Sequence, residues 1–465
     1  MSTNIKLPKD TIQKKLDLIE KINRSKTPNE YNSRAKIKEQ EWFFSLSHLL
    51  PKDWIEVNFM DITWLITCGV AKRPTYVESG IPFLSAQNTR PFKTNLDKIK
   101  YISEKEYKKL TVGGKPEKND ILYTRVGNCG EAAKINYDFE FGIYVSLTLI
   151  KPIHELVDSD YLVAFLNGHY GRQQANIGAI GIGLKNLNVN NVRKFRIPLP
   201  PLTTQQAIVS KIEELFSELD NGIANLKTAQ LQLKTYRQSV LKWAFEGKLT
   251  NKKVKEGELP KGWSYNQLGD YIEHIGSGKS YRCDERPPKS NEVGIVKVSS
   301  VTWGFFDELE SKTCFSNDHL IEKYLINKND FLFSRANTLE FIGACVIVNK
   351  IEKKLMLSDK ILRFTFTKNI SKHYTLYFLR SRSGRKQIER LSTGNQDSMR
   401  NIGQEKIKQI KIPYCSLDEQ NQIVQEIESR LSVADKMEES ITQSLQQAEA
   451  LRQSILKKAF EGKLI

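Results

Sequence analysis

The feature that most constrains this chain is that it repeats itself. YRQSVLKWAFEGKL at 236–249 returns as LRQSILKKAFEGKL at 451–464, with eleven of fourteen positions identical at an offset of 215. Internal repeats decide the architecture before any short motif does. At the same offset Ile197-Pro198 matches Ile412-Pro413, Gln205 matches Gln420, Ile208-Val209 matches Ile423-Val424, and Ile212-Glu213 matches Ile427-Glu428. Further upstream the offset drifts. Gly171-Arg172 answers to Gly384-Arg385, Asn119-Asp120 and Arg125 to Asn329-Asp330 and Arg335, and Leu50-Pro51-Lys52 with Trp54 to Leu259-Pro260-Lys261 with Trp263. The copies run over 50–249 and 259–465. A period near 210 is too long for a solenoid, so this is a domain duplication. The ends of the copies agree and the middles diverge, as expected of one scaffold carrying two different readers.

Each copy opens with short β-branched and aromatic runs bounded by Gly, Asn and Asp: GIPFLSAQNT, DILYTRVG and GIYVSLTLI, then IVKVSSV, DFLFSRA and ILRFTFT. Helical stretches near DYLVAFLNGHYGRQQA and HYTLYFLRSRSGRKQIERL pack on them. A proline-rich stop follows, RIPLPPLTTQQ or KIPYCSLDEQN, offering an N-cap at Thr203 or Thr204 and at Ser416. Then apolar residues recur every seven positions. Ile212, Leu219, Leu226, Leu233 and Val240 form the first series, with Phe216 and Ile223 between. Ile427, Ala434, Ile441, Ala448 and Ile455 form the second, with Leu431 and Leu445 between. A seam sustained over four heptads predicts a coiled coil. Gly247 and Gly462 suit the C′ position of each helix.

A helix of roughly 40 residues is about 60 Å long, and one apolar seam does not hold it alone. Two matched helices are expected to cover each other. Antiparallel pairing would relate the copies by a pseudo-two-fold axis, and each AFEGKL is expected to close its own half. The alternative is that each helix packs on its own globular part. The fold class is therefore α+β: two α/β domains in tandem, separated by two long helices that form an antiparallel coiled coil.

Net charge is +17, from 71 Lys and Arg against 54 Asp and Glu. Surface cations displace counterions from phosphates, so a polyanion partner is expected. The six cysteines (Cys68, Cys129, Cys283, Cys314, Cys345 and Cys415) show no C-x-x-C spacing and read as reduced thiols; no metal site is expected. No apolar run approaches a membrane span and the N-terminus has no apolar signal core, so the chain reads as cytoplasmic with no membrane partner.

Catalytic patterns are missing. IGSGKSY at 275–281 resembles a phosphate loop, but Glu273 stands where its first glycine belongs. The aligned segment of the other copy, CGVAKR, keeps Gly69 and Arg73 for Gly278 and Arg282 but not Lys-Ser. There is no nucleophile elbow, zinc-protease motif or Asn/Asp-Pro-Pro-aromatic tetrapeptide. The chain reads as non-catalytic.

LP-x-x-W, a reader domain, the pattern I-P-l-P-P-l-x-x-Q-x-x-I-V (lower case for the looser positions), a heptad helix and AFEGKL, all of it twice, closely resembles the DNA-specificity subunit of type I restriction–modification enzymes. The resemblance covers about residues 50–465; the second copy departs from it where PYCSL replaces LPP. It implies two target-recognition domains, each reading one half of a split, asymmetric site on double-stranded DNA, with the helix pair setting the spacer. It implies two docked modification (adenine N6-methyltransferase) subunits that bind S-adenosylmethionine. Two ATP- and Mg-dependent restriction (translocase/nuclease) subunits would join them, with no cofactor on this chain. The corresponding boundaries are an N-terminal helical extension at 1–49, recognition domain 1 at 50–202, a central helix at 203–249, a linker and recognition domain 2 at 250–417, and a C-terminal helix at 418–465. Diverged domains on one chain read unlike halves, whereas a homodimer reads a palindrome. Readers on one DNA face sit about one helical turn, roughly 34 Å, apart, within the reach of such helices. A coiled-coil scaffold that binds no nucleic acid is the competing reading; a nucleotide hydrolase is a third.

Base edges are read by Arg and Lys at guanine and by Asn and Gln at adenine. The candidates are Lys72, Arg73, Gln87, Asn88, Arg90 and Arg125 in the first copy. In the second they are Lys279, Tyr281, Arg282, Arg335, Asn337 and Arg400. The recurring pairs Arg73/Arg282 and Arg125/Arg335 suit phosphate or structural roles. Gln87, Asn88 and Asn337 do not recur and suit specificity.

Overall fold

The computed structural model describes residues 46–251, 253–255, 257–316 and 320–465. The helical extension expected before residue 50 lies outside the described residues up to residue 45. Leu46 is already buried in a core, and Ser47–Leu49 forms one 3-10 turn. The chain divides into two units: Met1–Asn225 with Ser444–Ile465, and Leu226–Gln443.

In the first unit the predicted β runs form strands. A four-stranded antiparallel sheet runs in the order Thr63–Cys68, Leu147–Pro152, Ile121–Thr124, Ala132–Lys134. A mixed sheet contains Ile81–Leu84, Lys100–Ile102 and Tyr76–Val77. Ile55–Asn58 pairs antiparallel with Arg196–Leu199, clasping the two ends of the domain. Helices Ser159–Asn167 and His169–Gly178 cover the sheet. They meet at a bend that needs Gly171, where a Cβ would run into the carbonyl of Phe165.

The second unit repeats this plan. Its antiparallel sheet runs Ile272–Ser277, Ile361–Phe366, Phe331–Ser334, Cys345–Ile347. Ser264–Gln267 clasps Lys411–Tyr414, and helices Lys372–Arg380 and Arg382–Leu391 meet at Gly384.

The matching residues of the repeat do matching work. Buried Gln205 takes a hydrogen bond from Asp158 N (2.9 Å) and donates to the carbonyls of Leu156 and Pro200. Gln420 takes one from Ser371 N (2.8 Å) and donates to Asn369 and Cys415. The hydroxyls of Tyr161 and Tyr374 donate to the carbonyls of Pro198 and Pro413, both at 2.8 Å. Burial pushes both phenols well above the usual tyrosine range, so they stay neutral donors.

The long helices are Leu202–Phe245 and Leu417–Phe460, each 44 residues. The second starts at Ser416 as expected, whose hydroxyl accepts from Glu419 N at 3.3 Å. The first starts two or three residues earlier than a cap at Thr203 or Thr204 would allow. Gln205 N already bonds the carbonyl of Pro201, so both threonines lie inside the first turn. Gly247 and Gly462 take φ of 71° and 67°, as C′ glycines should.

Of the predicted seam, Ile212, Phe216, Val240, Ile427 and Ile455 are buried, while Leu219, Ile223, Leu226, Leu233, Leu431, Ile441 and Leu445 are half-buried. In the first unit Phe216 lies under the Arg452 guanidinium, 4.5 Å from its ring centroid, and Arg452 also pairs with Asp220. In the second, Arg237 bonds Asp435 (2.5 Å) and Glu438 (2.7 Å). There Leu233 and Ile441 line an open apolar groove of about 810 Å³ with Tyr236, Val433 and Met437. Ile212, Phe216 and Ile455 join the core of the first unit, and Val240 and Ile427 that of the second. The ends of the seam are therefore covered by globular parts.

The expectation that each AFEGKL closes its own half is wrong. Phe245, at the end of the helix that follows the first domain in sequence, packs in the second unit. Its ring lies 5.1 Å from that of Tyr374 and 5.2 Å from that of Phe378. Phe460 packs in the first unit, 5.1 Å from both Tyr161 and Phe165. Next to it, Glu461 accepts from Tyr170 Oη (2.5 Å) and from Lys463 (2.7 Å). Burial pushes its carboxyl up, but those bonds outweigh it and hold the carboxyl below the usual range. Each end is seated against a proline, Gly247 against Pro260 and Gly462 against Pro51.

Candidate nucleic-acid interface

In the first unit the strand pair Tyr76↔Ile102 brings two stretches about 26 residues apart onto one wall. The Tyr76 ring is flanked by two cations, Lys100 Nζ at 4.5 Å and the Arg73 guanidinium carbon at 5.4 Å from its centroid. These residues, with Gln87, Lys98 and Tyr144, line a cleft of about 400 Å³. Lys98 stands at φ 59°, in the left-handed region, at the turn into the strand Lys100–Ile102. Cations beside an aromatic face suit phosphate contact together with stacking.

Arg73 and Gln87 are therefore brought together, and both are exposed. Lys72 is exposed one residue away, and Arg90, also exposed, holds the Thr89 carbonyl at 2.9 Å. Two candidates need correction. Asn88 is buried; its Oδ1 takes the Ser85 N–H at 3.0 Å and its Nδ2 donates to Asn95 O at 3.1 Å. It holds its own loop and has no amide edge to offer a base. Arg125 is buried too, donating to Leu187 O (3.0 Å), Val145 O (3.1 Å) and Asn186 Oδ1 (3.0 Å). It is a staple, not a phosphate ligand. Arg125→Ala is expected to destabilise the first unit by about 2 kcal/mol, because it orphans buried carbonyls. It should leave the salt dependence of DNA binding unchanged; a lower slope in a salt titration would restore the phosphate role.

In the second unit Lys279 and Arg282 are exposed on the segment after Ile272–Ser277, and Tyr281 packs half-buried near Cys283. No helix follows Gly278; the next element is the strand Cys283–Asp284, so the helix N-terminus that a phosphate loop needs is missing. Gly278 N bonds Ser358 O at 3.2 Å and Arg335 N bonds Lys360 O at 2.9 Å, so one turn supports both Gly278 and Arg335. Arg335 is half-buried and its guanidinium has no hydrogen bond among the described residues, unlike its repeat partner Arg125. Asn337 pairs with Arg400 across adjacent strands and approaches Thr302 Oγ1 at 3.5 Å. Arg400 is corrected as well. Its guanidinium donates to the carbonyls of Gly394 and Ser392 (both 2.9 Å), bracing the strand pair Thr393–Gln396 and Met399–Asn401.

The residue lettering alone did not single out Tyr76, Lys98, Lys100, Tyr144 or Trp303. Trp303 is exposed next to Thr302, its ring 5.6 Å from that of Phe341. The available signal was aromatic residues in non-periodic loops, as in VTWGFF.

Among the described residues, no three His, Cys, Asp or Glu side chains are grouped to hold a metal ion. No helix of the described residues is long and apolar enough to cross a membrane.

Two copies of one α+β scaffold, each with a long helix and its own diverged polar surface, define a class of tandem recognition proteins. The chain belongs to the type I restriction modification DNA specificity domain family, whose model matches residues 51–228 and again 260–448. It is 25% identical over 430 residues to the type I restriction enzyme EcoKI specificity subunit of Escherichia coli, covering 89% of this chain and 90% of that one. It is 24% identical over 435 residues to the StySPI specificity subunit of Salmonella potsdam, with 89% and 90% covered. In fold it is similar to the HsdS subunit from Thermoanaerobacter tengcongensis, with TM-score 0.56, 17% identity, and 89% and 98% covered. It is also similar to a chain from work on complex assembly and conformational transition of the type I R-M system, with TM-score 0.67, 17% identity, and 89% and 99% covered.

Proposed function

We propose that this chain is the DNA-specificity subunit of a type I restriction–modification complex, each unit reading one half of a bipartite, asymmetric site. The observation that carries the reading is one scaffold built twice, down to the Gln205/Gln420 and Tyr161/Tyr374 bonds, under two unlike polar surfaces. Identical scaffolds fix identical docking geometry, and unlike surfaces read unlike sequence.

On this reading the two long helices run antiparallel as a coiled coil, and the copies are related by a pseudo-two-fold axis. Arg452 in the last quarter of one helix pairs with Asp220 just before the middle of the other, and Arg237 with Asp435 in the reverse sense, which supports that direction. The pair sets the spacer and seats two methyltransferase subunits, which bring S-adenosylmethionine. Two restriction subunits bring ATP, Mg and cleavage. This chain supplies recognition only, and it acts in the cytoplasm where chromosomal DNA is.

The experiment is a map of methylated adenines across the genome. Deleting the gene is expected to abolish methylation at one bipartite motif, and exchanging 250–417 for the corresponding part of a relative should change one half of that motif alone. An unaltered map would favour the scaffold that binds no nucleic acid.

A further inference from the structure

In the first unit a β-hairpin, Ala179–Ile180 paired with Asn186–Leu187, rises between the domain's second helix and its last strand. Its tip is apolar and uncovered: Ile180 is 73% exposed, Ile182 110% and Leu184 68%. Uncovered clusters of large apolar side chains mark a binding surface. The hairpin's base is part of the cleft wall. Val126, which lines the cleft, bridges to Asn186, Gly127 N bonds Lys185 O at 3.0 Å, and Leu187 N bonds Arg125 O at 2.7 Å. The Arg125 staple fixes that base from below through Leu187 and Asn186. A rigid stem therefore carries three branched apolar side chains beside a groove flanked by Arg73, Lys98 and Lys100.

From Leu187 to Ile182 the chain spans at most roughly 17 Å, more than the roughly 8 Å depth of a DNA groove. A duplex held by those cations runs beside the hairpin, because the cleft and the hairpin's base share Val126. The second unit has a hairpin at the same place, Thr393–Gln396 with Met399–Asn401, but its turn carries Gln396, Asp397 and Ser398, and its exposed apolar surface is Met399 alone (66% exposed) against three branched side chains in the first. Paired identical subunits docking on this chain would need the same surface on both units. This surface occurs on one, as a reader's feature should.

We propose that Ile180, Ile182 and Leu184 form an apolar wedge that enters between two base pairs of the half-site read by the first unit, unstacking and kinking that step. The proposal rests on the DNA-specificity reading. Wedge side chains read sequence indirectly, because weakly stacked steps open at lower cost.

The test uses the chain assembled with its methyltransferase subunits, on a duplex carrying the mapped motif, with 2-aminopurine placed in turn at each step of that half-site. The variant is Ile180→Asn/Ile182→Asn/Leu184→Asn, whose changes are confined to exposed side chains. Away from the adenine that the methyltransferase subunit itself turns out of the stack, the native protein is expected to raise fluorescence at one step. The variant should leave that step dark and bind the intact duplex about tenfold more weakly. A single mismatch at that step, which lowers the cost of unstacking, should bring the variant to within about twofold of the native protein. Equal fluorescence from both proteins at that step, or a loss that the mismatch does not repair, overturns the wedge. So does loss of the methyltransferase subunits from the variant in a pull-down, which would make the hairpin a protein contact. A native complex that binds no DNA sinks the specificity reading itself, whereas one that binds without unstacking sinks the wedge alone.

Discussion

Phe460→Ala is expected to loosen the first unit, although residue 460 stands about 300 residues along the chain from the helices it packs against, Ser159–Asn167 among them. The ring is buried between Tyr161 and Phe165, each 5.1 Å away and edge-on. Truncating a buried phenylalanine typically costs about 3–5 kcal/mol, part transfer and part cavity. A loss of that size lowers local protection by roughly two to four orders of magnitude. Hydrogen exchange read by mass spectrometry should show it in Ser159–Asn167 and His169–Gly178, while Lys372–Arg380 and Arg382–Leu391 keep their protection. Phe245→Ala should give the mirror result, because Phe245 lies against Tyr374 and Phe378. Loss of protection around Lys372–Arg380 on Phe460→Ala would mean that each helix end serves the domain it follows.

That exchange of ends explains where the sequence was legible and where it was not. The duplication, the strands and the two long helices were readable, because a repeat and a heptad are local patterns. Which AFEGKL packs on which unit was not. Tyr161/Phe165 and Tyr374/Phe378 are the same receptacle twice, so either phenylalanine fits either one. Only chain geometry breaks the tie. Recurrence left a phosphate or a structural role open at Arg125 and Arg335, and only the structural one holds for Arg125. They align, but two of Arg125's three acceptors, Val145 and Asn186, lie in the diverged middle, so one guanidinium is buried and bonded while the other has no such bond. Asn88 was misread by residue type alone. The local clue was Ser85 three residues before it, since the pair closes a capping box. Lys98 and Lys100 were missed because they sit in a stretch without periodicity. The Tyr76↔Ile102 register, a non-local pairing, is what carries them to the cleft.

The cleft makes the second large prediction. Arg73→Ala/Lys98→Ala/Lys100→Ala is expected to weaken binding to the mapped motif on the order of a hundredfold at 0.1 M salt, from three lost phosphate contacts. The same variant should flatten the plot of log affinity against log salt by about 2.7, at roughly 0.9 per contact. The folding cost should be small. Arg73 is exposed, and Lys100 is exposed beside the Tyr76 ring, where a cation contributes about 0.5–1 kcal/mol. Lys98→Ala at φ 59° trades one strained side chain for another. Binding to unrelated DNA should fall in parallel, since phosphates carry no sequence, so the ratio of specific to non-specific affinity should hold. Gln87→Ala should behave in the opposite way. It should leave the salt slope unchanged and lower that ratio if Gln87 reads a base edge, because its exposed amide on the same wall neutralises no charge. An unchanged slope in the triple variant would remove the cleft from the interface and move the DNA track to another face of the first unit.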